Sequence, residues 1–64
     1  MNEKLLKARI VEKGFTQGEI AEKLGISATA FNNKITGKVE LKASEIFKLS
    51  EILDIDNKDA YFFN

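Results

Sequence analysis

Apolar residues recur along this chain at helical spacing, in short groups separated by glycines and by polar residues that cap helices. Asn2 stands ahead of a first helix that runs to about Lys13, with Leu5, Leu6, Ala8 and Ile10 as inward candidates and Gly14 as its stop. Thr16 and Glu19 form the Thr-x-x-Glu capping box of a second helix, and Phe15 is placed to staple onto Ile20 across the box. Ile20, Ala21 and Leu24 make the buried stripe of that helix, while Glu19, Glu22 and Lys23 face water. Ala21 is small enough to let two helices approach closely at their crossing.

Gly25 is a left-handed stop for the second helix, reached without a Cβ penalty. Ile26 plugs the core beneath the turn, Ser27 caps a third helix, and Ile26 with Phe31 supplies a second staple. The third helix is expected from Ala28 to about Ile35, with Gly37 as its stop. A connection through Lys38, Val39, Glu40 and Leu41 leads to a fourth helix, about Lys42 to Leu53, whose apolar residues are Ile46, Phe47, Leu49, Ile52 and Leu53. Asp56, with Asp59 three residues on, resembles a cap before a last short helix ending in Tyr61-Phe62-Phe63. There is no internal repeat, linker or low-complexity tract. The pattern therefore predicts a compact all-α domain of five helices over residues 1–64, with a helix-turn-helix at the second and third.

Composition narrows the function classes. The chain has 64 residues and contains neither cysteine nor histidine, so disulfides, thiolate metal sites, imidazole ligands and the usual near-neutral general base are all missing. With no glycine-rich phosphate loop, and with carboxylates mostly on predicted solvated faces, an enzyme is not expected, nor is a cofactor or metal. Pairs such as Glu19 and Lys23 read as surface charges. No apolar run approaches a membrane span and no signal-peptide pattern opens the chain, so the expected setting is a reducing cytoplasm. The formal charge is zero, but residues 1–43 carry eight Lys or Arg against five Glu, and residues 44–64 carry two Lys against five Asp or Glu. One half is mildly basic and the other mildly acidic, a bias that charges scattered over solvated helices also produce.

The third helix holds the candidate chemistry. At about 100° per residue, Ala28, Thr29, Asn32, Asn33 and Thr36 fall on one arc. Ala30, Phe31 and Lys34 fall on the other, with Ile35 near the boundary. The first arc is small, polar and free of acids. It suits the major groove, where Asn pairs bidentately with adenine and an Ala or Thr methyl touches thymine. The plain alternative is a solvated helix face. Such a face would carry Glu and Lys, and this arc carries none.

Gln17, Ala21, Gly25, Ile26, Phe31 and Gly37 match the pattern Gln-x3-Ala-x3-Gly-[Ile/Val]-x4-apolar. By it the chain resembles the lambda-type repressor and Cro family, also called the XRE family of helix-turn-helix regulators. The resemblance extends from the first helix to the fifth, and the stretch Phe31 to Lys38 looks most like small phage and prophage regulators of Gram-positive bacteria. It implies that Gln17 bonds a phosphate and braces the recognition helix. It implies that Ala28, Thr29 and Asn33 face base edges with Asn32 beside them, and that Ser27, Thr36, Lys38 and Lys42 meet backbone phosphates. Thr16 reads as a helix cap rather than a contact, though the N–H groups beside it can serve a phosphate.

Two departures from the family pattern stand out, the pair Ile10 and Ile35 and the single residue Lys34, and Gly18 is a further oddity. Ile10 and Ile35 stand where many members have a partly buried arginine–glutamate pair. Both charges are missing together, which avoids the cost of burying an ion pair, so the two isoleucines are expected to touch. Lys34 lies on the inner arc where the family prefers an aliphatic residue, and its amine is expected to snorkel to the rim, toward solvent or a phosphate. Gly18, in the first turn of the second helix, costs up to about 1 kcal/mol relative to alanine and either admits a DNA backbone or has no role.

The resemblance implies a sequence-specific regulator that binds pseudo-palindromic double-stranded DNA as a homodimer, with half-sites about one helical turn apart. Tyr61, Phe62, Phe63 and the end of the fourth helix are the candidates for a dimer contact, although at least two of these aromatics are expected to close the monomer core. The competing reading is a protein-interaction module that modulates a partner repressor, a role easier to reconcile with zero net charge.

Overall fold

A computed structural model describes residues 1–63, which form five α-helices: α1 (Glu3–Glu12), α2 (Gln17–Leu24), α3 (Ala28–Ile35), α4 (Ala43–Ile52) and α5 (Lys58–Phe62). No strand occurs among the described residues, and none of the helices there is long and apolar enough to cross a membrane. The helix starts follow capping chemistry. Asn2 Oδ1 accepts the Leu5 N–H at 3.1 Å, and Ser27 Oγ accepts the Ala30 N–H at 3.0 Å. Thr16 and Glu19 complete the reciprocal capping box at 3.1 and 2.9 Å. α5 departs from expectation: Asn57, not Asp56, is its cap, with Oδ1 accepting the Ala60 N–H at 3.3 Å. Both residues stand at a spacing that permits capping, and the register taken leaves Asp56 in solvent while Ile55 and Phe62 are buried.

Four of the helices end by one device. A left-handed residue follows the helix, and the next residue donates its N–H to a carbonyl five positions back. The donors are Phe15 to Ile10 (3.0 Å), Ile26 to Ala21 (3.0 Å), Lys38 to Asn33 (2.9 Å) and Ile55 to Ser50 (2.9 Å). At Gly25 the backbone has φ of 74°, which glycine adopts without strain. The α4 end has no glycine: Asp54 takes φ of 51°, a conformation its short polar side chain tolerates better than most. Arg9 reinforces this end, its Nε donating to the Leu53 carbonyl at 2.7 Å and Nη2 to the Asp54 carbonyl at 2.8 Å. Lys13 Nζ lies 2.7 Å from the Asp54 carboxylate, and Lys13 first, then Arg9, hold that carboxyl below its ordinary value.

A single core unites Leu6 and Ile10 of α1, Ile20, Ala21 and Leu24 of α2, Phe31 and Ile35 of α3, Leu49 and Leu53 around α4, and Ile55 with Phe62. Ile10 and Ile35, expected to touch, are both buried in this one cluster. Ile35 is wholly inside rather than at the boundary of two arcs. α1 buries a narrower stripe than its sequence suggests: Leu5 and Ala8 face solvent, because a helix at the edge of a small domain has one packing side. Phe47 is also exposed, its ring 5.6 Å from Lys58 Nζ. Phe62 closes the core with Tyr61 packed half-buried against it, while Phe63 points outward. The chain start is tied down as well, since the Asn2 N–H donates to the Tyr61 carbonyl at 2.8 Å.

Candidate nucleic-acid interface

α2 packs on α3 and also on α4, which leaves one side of α3 turned away from the core. Phe31 and Ile35, four residues apart, anchor that helix and fix its rotation. With those two inside, Ala28, Thr29 and Asn32 are exposed and Asn33 is half-buried at the edge of the same face. Among the described residues, the side chains of Gln17, Thr29, Asn32 and Asn33 make no hydrogen bond to the protein, so their donors and acceptors are open to an external partner. Gln17 is half-buried at the first position of α2.

The caps of α2 and α3 engage the third N–H of each helix, which leaves the N–H groups of Gln17, Gly18, Ala28 and Thr29 without a helical partner. These are the groups that meet an anion at a helix start. A Cβ built on Gly18 would have only Thr16 Oγ1 near it, at 3.9 Å, so nothing inside the protein requires glycine there. Ser27 is exposed; its Oγ accepts from Ala30, and its hydroxyl proton is left for another acceptor. Thr36 differs. Its Oγ1 donates to the Asn32 carbonyl at 2.8 Å and lies 3.3 Å from that of Asn33, so its one proton is held by the helix and a phosphate finds no free hydroxyl donor.

The turn after α3 sets out the basic side chains. Gly37, with φ of 86°, folds the chain so that the N–H groups of Lys38 and Val39 both reach the Asn33 carbonyl, at 2.9 and 3.1 Å. In the turns after α1, α2 and α4 the residue making this backward bond is Phe15, Ile26 or Ile55, each packed on or in the core. After α3 it is Lys38, exposed and in no ion pair among the described residues. Lys42, at the start of α4, is likewise exposed and outside those pairs.

Over residues 2–64 the chain matches a family described as protein of unknown function, DUF739. It belongs to the DUF739 family. No curated protein and no solved structure matches it.

In this member of DUF739, Lys34 is not placed as expected. Its amine turns inward and lies 2.5 Å from Glu45 Oε2, with side-chain exposures of 12% and 10%. Snorkelling toward a phosphate is therefore replaced by a largely buried ion pair. The other carboxylate oxygen of Glu45 accepts the Lys42 N–H at 2.8 Å. Burial pushes the Glu45 carboxyl up, but the Lys34 hydrogen bond and the Lys42 N–H outweigh it and hold the group below its ordinary value. Glu45 is the residue that reading the sequence missed. Its signal was faint: three residues after Lys42 it stands at the acidic position of a capping box that lacks a Ser or Thr.

Proposed function

We propose that this chain is a sequence-specific, double-stranded DNA-binding transcriptional regulator of the lambda-repressor and Cro (XRE) type, of phage or prophage kind, with α3 entering the major groove. One observation carries this reading: the arc of exposed Ala28, Thr29 and Asn32 with half-buried Asn33 has no acid, and among the described residues its polar side chains have no protein partner. In the proposed complex Thr29 and Asn33 read base edges, with Ala28 and Asn32 beside them. Gln17, Ser27, Lys38 and Lys42 hold phosphates and set the register. Thr36 then serves as a brace for the α3 carbonyls.

A single half-site offers few contacts, so two chains are proposed on a pseudo-palindromic operator. The surface proposed to join them lies beside the α3 end. There a groove of about 440 Å³ has Val39, Leu41, Ile46, Phe62 and Phe63 in its lining beside Met1, Gly37 and the charged Lys34 and Glu40, with Phe63 67% and Val39 49% exposed. The same surface is what a partner repressor would use under the interaction-module reading.

Binding-site selection followed by fluorescence anisotropy over a salt series tests the proposal. The wild-type chain is expected to select a two-fold-related site, to bind it two chains per duplex, and to lose affinity steeply with salt. Asn33→Ala should cost about 1–3 kcal/mol of discrimination at one base pair. Lys38→Ala should weaken selected and random duplexes alike and reduce the salt slope by about one. Equal losses on both duplexes for both variants would overturn these roles. Affinity confined to a protein partner, indifferent to Lys38, would establish the interaction module instead.

Gly18→Ala separates fold from interface. Removing a helical glycine should raise stability by up to about 1 kcal/mol in urea denaturation, since an added methyl group meets no obstacle. Close approach of a phosphate backbone to Gly18 predicts weaker duplex binding in the same variant. Unchanged affinity would remove Gly18 from the interface.

A further inference from the structure

We infer that Lys34 and Glu45 form a positioning clamp that sets the angle between α3 and α4, so that Lys34 serves the choice of DNA sequence without touching DNA. The inference rests on the proposed reading of α3 as the recognition helix. Its basis is geometric. The carboxylate of Glu45 bonds the last turn of α3 through the Lys34 amine at 2.5 Å and the start of α4 through the Lys42 N–H at 2.8 Å. The intervening segment carries Lys38 and is fastened again, by the N–H groups of Lys38 and Val39, to the Asn33 carbonyl. One carboxylate thus refers the base-facing helix and both candidate phosphate-binding lysines to a common frame.

Hydrophobic packing alone would not fix that frame as closely. An apolar pair of similar volume fills the space but has no preferred direction, whereas a charge-assisted hydrogen bond does. Buried ion pairs add little net stability relative to such an apolar pair, so stability is a weak reason for keeping one here. The amine is also a poor phosphate ligand. It is largely shielded and already neutralised by an adjacent carboxylate, so it would release no condensed counterion from DNA.

The test compares the wild-type full chain with K34M/E45M, with K34R, which keeps the charge pair, and with K38A. Without DNA, residual dipolar couplings report the orientation of α3 relative to α4. With DNA, anisotropy gives the ratio of affinities for selected and scrambled duplexes and the dependence on salt. K34M/E45M is expected to unfold cooperatively with near-native stability, to show altered or averaged α3–α4 couplings, and to lose about tenfold in the affinity ratio, a size typical of one mispositioned base contact. Its salt slope should match wild type, while that of K38A falls by about one. K34R should keep the wild-type ratio.

An unchanged ratio in K34M/E45M, or a salt slope reduced as in K38A, would overturn the inference. So would failure of K34M/E45M to fold, since the pair would then be needed for stability rather than orientation. If the wild-type chain bound no duplex at all, the functional reading would fall by itself. The couplings would still judge the clamp as a structural device, and native values in K34M/E45M would refute it.

Discussion

Phe31→Ala should unfold much of the population of this domain. Phe31 is fully buried and is the largest of the fully buried side chains. Truncating such a residue costs about 3–5 kcal/mol, from lost transfer energy and the cavity left behind. A domain of this size has a total stability of about 3–10 kcal/mol, at ~0.05–0.15 kcal/mol per residue, so the loss approaches the whole. Because Phe31 also fixes the rotation of α3, the proposed duplex binding should vanish with the fold. Urea denaturation followed by circular dichroism measures the effect, and Phe31→Leu, which preserves most of the volume, should retain a cooperative transition. A loss below about 1 kcal/mol in the alanine variant would contradict the central place of this ring.

The second large effect is expected at Glu45. Glu45→Ala alone leaves the Lys34 amine buried without its counter-charge, and breaking a buried pair in this way costs about 3–5 kcal/mol. Replacing both partners by methionine should recover most of it. Acid supplies a second signature. The Glu45 carboxyl is held below its ordinary value of 4.5, so the unfolded chain binds more protons as pH falls through the window under that value. The stability from Glu45 is therefore complete above pH 4.5 and is lost as pH drops through the lowered folded value. Urea midpoints measured at neutral pH and across that window should show the Glu45 part of the acid slope in wild type and not in Glu45→Ala. The same slope in both would mean that the carboxylate gains no special stabilisation from Lys34. Asp54 shifts in the same direction, but its exposure to water leaves it a small share.

Much of this fold was legible because its signals are local. The Thr16–Glu19 box, the glycine stop at Gly25 and the Ser27 cap each depend on residues within one turn of each other, and α3 spans Ala28–Ile35 as its pattern implies. What escaped depends on contacts distant in sequence. Asp54 adopts a glycine-like conformation under two Arg9 bonds that reach across more than 40 residues. Lys34 read as an interior misfit until the fold brought Glu45 to it, eleven positions along the chain. Leu5 and Phe47 are apolar at helical spacing, yet each helix has less neighbour to face than residues to bury. At the candidate interface the outer arc of α3 followed from its rotation, whereas the internal commitment of the Thr36 hydroxyl did not. A hydroxyl three or four residues past two carbonyls can bond inward or outward, and the sequence holds no rule for which.

The backward hydrogen bonds that end α3 bear on how this surface would meet a partner. With the carbonyl of Asn33 already occupied by two amides and the Thr36 hydroxyl beside it, the backbone of the turn is set before any encounter. Docking would then immobilise a few long side chains and no stretch of main chain, so little of the association energy is diverted into ordering. Under the proposed DNA-reading role, the same preorganisation would make the surface unforgiving: a duplex whose groove is too wide or too straight would itself have to deform, and its stiffness would become part of what is selected.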